Sequence, residues 1–206
     1  MKTSRRGLLA GAAGLWGSAC AGRLVRAPAK AAETNPRLAA IEAAVGGRLG
    51  VFAFELGGGP ALAHRPDDRF AMCSTFKCLL AAAVLARIDA GTLSLDKALP
   101  FTATDVIDHS PVTRAHLPAG AMTVGELAAA AVVVSDNTAA NLLLRAVGGP
   151  PAVTQWVRGQ GDLATRLDRS EPALNTNLAG DPRDTTTPRA MAENLRRLFL
   201  GEALPP

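Results

Sequence analysis

The sequence predicts a mixed α/β (α+β) chain: a helix and an antiparallel hairpin first, then a long helical region. Three observations predict it. Residues 48–56 alternate, with Val51, Ala53 and Glu55 on one side and Phe52, Phe54 and Leu56 on the other. Gly57-Gly58-Gly59-Pro60 then turns the chain back into a second strand over 61–65. From Ser74 onward the apolar period is helical, and no further strand pattern is found.

Each element follows from local chemistry. Residues 36–45 place Leu38, Ile41, Ala44 and Val45 at helical spacing, and Gly46-Gly47 stops them. Ser74 to Ala90 is rich in Ala and Leu with no breaker before Gly91, which reads as a buried helix. Thr123 to Val133 opens on Thr123 with Glu126 three positions on, the pattern of a capping box. Helices are also expected over Asn137 to Val147, Pro150 to Gln160 and Pro188 to Leu200. Leu167 to Pro188 lacks periodicity, and so long an irregular stretch in a compact chain usually carries function. A lone hairpin is marginal in water, so the two strands need partners or a covering helix.

Composition narrows the function. The 206 residues are 48% hydrophobic, enough for a sizeable core and too much for a disordered chain. No uninterrupted apolar run reaches the roughly 18 residues of a spanning helix. The net charge of +4 is local. Residues 1–31 hold six of the 22 basic residues and no acid, which leaves 16 basic against 18 acidic, a net of −2. Nucleic acid is therefore not an expected partner.

Those first 31 residues read as an export signal. Lys2, Arg5 and Arg6 precede a Gly/Ala-rich apolar stretch, and Ala29-Lys30-Ala31 offers a cleavage site. The Arg5-Arg6 pair before Gly7-Leu8-Leu9 resembles a twin-arginine signal, and the expected location is periplasmic or secreted. Cys20 leaves with the leader unless it is lipidated. Cys73 and Cys78 straddle a helix start in a geometry unsuited to bridging, so free thiols are expected. His64, His109 and His116 have no metal-ligand spacing, and neither metal nor other cofactor is expected.

Three short segments carry chemistry. Ser74-Thr75-Phe76-Lys77 sets a hydroxyl and an amine at i and i+3, on one face of a helix start. There the amine is able to draw the serine proton. The plain alternative is a capping serine with a solvated lysine, but the apolar run after Lys77 argues against solvent. Ser135-Asp136-Asn137 follows an apolar run, and taken alone it reads first as a helix N-cap. Glu171 and Asn175 lie four apart in the irregular stretch, where the bland reading is a solvated loop.

S-x-x-K followed by S-D-N and a loop glutamate, in this order, resembles a class A serine β-lactamase. The resemblance extends to Arg69–Lys77 (the nucleophile segment), Asp108–Thr113 (the substrate-gate loop) and Asp181–Ala190 (the end of the Ω-loop). It implies a helical domain joined to an α/β domain with an antiparallel sheet, of which this chain holds the first helix and two strands. The implied boundaries are a signal at 1–31, the start of the α/β domain at 32–65 and the helical domain at 66–206, with an Ω-loop at 169–184.

By that resemblance Ser74 is the nucleophile, Lys77 and Glu171 are the candidate bases, and Ser135 relays a proton to the leaving nitrogen. Glu171 and Asn175 hold the deacylating water, and Asn137 binds the substrate's acylamino group. His109 stands at the gate position and is expected to stack on substrate, a surface loop histidine being the alternative. The resemblance also implies an Arg169–Asp184 ion pair at the Ω-loop neck and a cis Glu171–Pro172 bond. The implied partner is a small β-lactam, acted on by a monomer. A penicillin-binding peptidase, or a non-catalytic β-lactam-binding module, is the other reading, and Glu171 favours the hydrolase. The family's K-T-G segment does not occur in the sequence. A truncated chain of weak or no activity is the expectation drawn from that.

Overall fold

The computed structural model describes residues 35–56 and 59–204. The leader and Cys20 lie outside the described residues. Helix α1 (Pro36–Val45) starts where the Asn35 side chain accepts the Arg37 N–H, and it ends at Gly46 with φ 72°, a conformation glycine adopts at no steric cost. Strands β1 (Val51–Ala53) and β2 (Leu62–His64) pair antiparallel, with Phe52 opposite Ala63. The hairpin is shorter than its alternating pattern, since pairing stops at Ala53 and Leu56 is left 61% exposed. Phe52 and Phe54 pack against each other at 5.6 Å, and the Arg189 guanidinium covers Phe52 at 4.4 Å.

Helices α2 (Phe76–Asp89), α4 (Val124–Val133), α5 (Asn137–Val147) and α6 (Pro150–Gly159) enclose the core. Phe76, Leu79, Leu80 and Val84 of α2 are fully buried against Leu127 of α4, Leu143 of α5 and Val157 of α6. Every fully buried leucine of this kind contributes about 1.5–3 kcal/mol through the water it sheds. Thr123 and Glu126 form the reciprocal capping box at the head of α4. Helix α7 (Pro188–Phe199), capped by the Thr187 hydroxyl, lies against β1.

The expectation of no strand beyond the hairpin is corrected. Strand β3 (Phe70–Ala71) pairs with β6 (Thr185–Thr186), and β4 (Ala98–Pro100) with β5 (Ala121–Thr123). Ladders of two or three residues are too short to show alternation, and their partners lie far along the chain. A five-residue helix α3 (Pro111–Ala115), opened by proline, likewise overlaps the end of the segment read as a gate loop and runs two residues past it. The helix expected from Ser74 begins instead with a 3₁₀ turn, Cys73–Thr75, before α2.

Around the hairpin, Glu42 of α1 acts as a hub. Its carboxylate accepts Arg65 Nε at 2.7 Å and the Leu49 N–H at 2.9 Å, and lies 2.9 Å from His64 Nε2. The Arg65 guanidinium foremost, then the Leu49 N–H and His64, hold this carboxyl at about 2. Its ordinary value is 4.5, so the folded state binds the proton less tightly than the unfolded chain. The stabilisation is therefore complete above that value and is lost as pH falls through the range down to about 2. Glu42→Gln is expected to be less stable than wild type at neutral pH, with the gap closing across that acid range. Denaturant midpoints measured against pH check this, and a gap independent of pH counts against it.

Candidate active site

The ladder of β3 and β6 brings the two halves of the site together. Met72 N–H donates to the Asp184 carbonyl at 2.9 Å, so the strand leading to Ser74 is tied to the end of the irregular segment. Cys73 then takes a φ of 44°, and Ser74 follows within the 3₁₀ turn, one turn before Lys77. Left-handed backbone at a non-glycine residue costs about 1–3 kcal/mol and tends to gather at working sites. Ser135 and His109 share this conformation, with φ of 58° and 54°.

Lys77 is 2% exposed and lies where the elements converge. Its ammonium donates to Asn137 Oδ1 at 2.6 Å, to the Ser135 carbonyl at 2.7 Å and to Ser135 Oγ at 2.9 Å. Ser74 Oγ is 3.5 Å away and Glu171 Oε1 3.4 Å. Burial holds the amine below the usual lysine range, and the Glu171 carboxylate offsets part of that shift. Two hydroxyls, an amine pushed toward its neutral form and a carboxylate thus share one small volume. Such a set can take a proton from one hydroxyl and return it through the other.

The irregular segment delivers Glu171. Arg169 Nε pairs with Asp184 Oδ2 at 2.5 Å, while Asp184 Oδ1 accepts the backbone N–H groups of Asp168 and Arg169. These bonds close the neck of the loop, and Asp184 is fully buried. The Glu171–Pro172 bond is cis. Leu174 anchors the loop in the helical core. Glu171 Oε2 accepts Asn175 Nδ2 at 2.6 Å, whereas Oε1 is buried without a hydrogen-bond partner and faces Lys77.

Sequence reasoning missed Asn141. Its side chain clasps both backbone groups of Glu171: Oδ1 accepts the Glu171 N–H at 3.0 Å, and Nδ2 donates to its carbonyl at 2.9 Å. The available signal was an amide one helical turn beyond Asn137, in an otherwise apolar stretch of α5.

Ser135-Asp136-Asn137 caps a helix and also borders Lys77. Ser135 and Asn137 face Lys77, while Asp136, wholly buried, caps α5 by accepting the Ala139 N–H at 2.9 Å. The same carboxylate accepts the N–H groups of Val112 and Thr113, each at 3.0 Å, and the Thr113 hydroxyl. It therefore binds the head of α3 to the head of α5. His109 lies on the exposed rim. Its carbonyl accepts the Asn137 N–H at 3.0 Å, and its Nε2 lies 3.1 Å from the Val134 carbonyl.

Cys73 and Cys78 are free thiols, and burial pushes the Cys78 thiol up. Among the described residues no three His, Cys, Asp or Glu side chains gather as a metal-ligand set. Nor is any described helix long and apolar enough to cross a membrane.

Residues 33–206 match the family described as the Beta-lactamase enzyme family. The chain is 48% identical over 190 residues to Beta-lactamase L2 of Stenotrophomonas maltophilia, covering 88% of this chain and 62% of that protein. It is 48% identical over 176 residues to Beta-lactamase CTX-M-8 of Citrobacter amalonaticus, covering 85% and 60%. Among solved structures, a class A β-lactamase of the last common ancestor of Gram-negative bacteria superposes with a TM-score of 0.80 at 56% identity. That match covers 83% of this chain and 65% of the other. The chain thus spans less than two thirds of the length of these relatives. With the α/β fold, the motif order and the convergence on Lys77 in agreement, the chain belongs to the β-lactamase enzyme family, in its class A serine branch.

Proposed function

We propose that the protein hydrolyses β-lactams through an acyl-enzyme on Ser74. The observation that carries this reading is the buried amine of Lys77, pushed by burial toward its neutral, proton-accepting form and within 3.5 Å of Ser74 Oγ, Ser135 Oγ and Glu171 at once. In this reading Lys77 or Glu171 receives the Ser74 hydroxyl proton as Oγ bonds to the lactam carbonyl carbon. The Ser74 backbone N–H donates to the developing oxyanion. The C–N bond then breaks, and the nitrogen takes a proton relayed by Ser135. Water held by Glu171 and Asn175 attacks the ester, Glu171 takes its proton, and Ser74 Oγ leaves reprotonated.

Asn137 binds the acylamino group and His109 lines the entrance. Arg169 and Asp184 keep Glu171 in register. Glu171 favours hydrolase over penicillin-binding peptidase, because a buried carboxylate beside the nucleophile gives the ester a route to water. The leader over 1–31 supports export to the periplasm or beyond, and a monomer is the working form.

Hydrolysis of a chromogenic cephalosporin tests the reading. Ser74→Ala is expected to lower the rate at least about 10³-fold. Equal rates in variant and wild type would remove Ser74 from the reaction.

A further inference from the structure

Beneath the gate segment lies a buried pair of hydroxyls that the reaction does not use. Ser110 is 3% exposed and Thr138 fully buried, with their oxygens 2.7 Å apart. The Thr138 N–H donates to Ser110 Oγ at 3.1 Å, and the Ile107 N–H donates to Thr138 Oγ1 at 3.0 Å. The Asp105 carbonyl lies 3.3 Å from Thr138 Oγ1. One proton arrangement satisfies every group: Ser110 donates to Thr138, and Thr138 donates to Asp105. A closed buried network of this kind fixes geometry, because opening any bond strands a polar group away from water. The far end is held as well, since Arg145 pairs with Asp105 at 2.9 Å.

His109 sits between the tethered residues. Its backbone is left-handed, and the segment meets the site through Asn137, whose N–H reaches the His109 carbonyl and whose Nδ2 reaches the Asp108 carbonyl at 3.1 Å, and through His109 Nε2, 3.1 Å from the Val134 carbonyl. Without support on both sides, an exposed residue in that conformation would relax. We propose that Thr138, with Ser110, is a positioning residue for the gate: its hydroxyl fixes residues 105–110 on the head of α5, so that His109 stays against Val134 and Asn137. Neither hydroxyl bonds to Ser74, Lys77, Ser135 or Glu171, so the pair acts on substrate admission rather than on proton transfer. The inference rests on the reading of His109 as substrate-facing and Ser74 as the acylated residue.

The test is made on the full chain with Thr138→Val, which keeps the shape and removes the hydroxyl. The Asn137 amide is expected to exchange with deuterium at least about tenfold faster, because its acceptor on His109 moves. Acylation by a penicillin with a bulky acylamino group is expected to fall about tenfold in its second-order rate. Thr138→Ser should restore both within about twofold. In a His109→Ala background, Thr138→Val should change acylation by less than about twofold, because the group it positions is gone. Ser110→Ala, which keeps the Ile107 and Asp105 bonds, should give the same pattern at smaller size and replaces Thr138→Val if that variant does not fold. Unchanged Asn137 exchange, or an equal acylation loss with and without His109, overturns the proposal. If the wild type accepts no acyl group, the hydrolase reading fails, while the exchange result still decides whether the hydroxyl holds the gate.

Discussion

Replacing Glu171 by alanine is expected to lower penicillin turnover by about 10³-fold, with acylation of Ser74 reduced by no more than about tenfold. The asymmetry follows from the geometry. Glu171 Oε1 is buried, faces Lys77 and lacks a hydrogen-bond partner, whereas Oε2 is engaged by Asn175. In the proposed mechanism, removing the carboxylate takes away the base for the attacking water. Lys77 remains within 3.5 Å of Ser74 Oγ, and losing the neighbouring anion lets burial push its amine further toward the neutral form. Rapid-quench kinetics separate the two steps. Equal loss in both would mean that Glu171 serves acylation as much as deacylation.

Asp136→Ala is expected to cost about 3–5 kcal/mol of stability, a fall of roughly 10 °C in melting temperature. The carboxylate is fully buried and accepts three backbone N–H groups and the Thr113 hydroxyl. Alanine would strand those donors and remove the cap of α5 together with the tether of α3. Because Ser135 and Asn137 flank Asp136, the loss should also loosen the contacts around Lys77. Thermal and urea unfolding measure it. A cost below about 1 kcal/mol would show that water replaces the carboxylate without penalty.

The fold was legible where local chemistry decides it. Asn35 and Gly46 bound α1, and Asp136 and Gly148 bound α5, each with a side-chain cap at one end and a left-handed glycine at the other. The four later strands were illegible, because Phe70 and Thr186 meet only once the whole helical region has folded between them. Of the site, Ser74 and Lys77 showed in their i, i+3 spacing and Glu171 in its place within an irregular stretch. Asn141 left only the faint trace of an amide in an apolar run, since its task is to grip another segment's backbone. Asp136, a residue type that favours an N-cap, caps α5, and its burial adds the tether to α3.

The hairpin remains the least supported element. Its β1–β2 ladder has three residue pairs, and Leu56, Leu62, Ile41 and Val45 are exposed around it. Among the described residues β1 and β2 pair only with each other, and apolar surface beside open strand edges favours association.

The most direct test of the central claim is to map where a penicillin attaches. Glu171→Ala is mixed with the drug, quenched, digested and read by mass spectrometry. One adduct of the drug's full mass, stable over minutes, is expected on the Ser74 side chain. No adduct, or one on the neighbouring exposed Cys73 in place of Ser74, would contradict it.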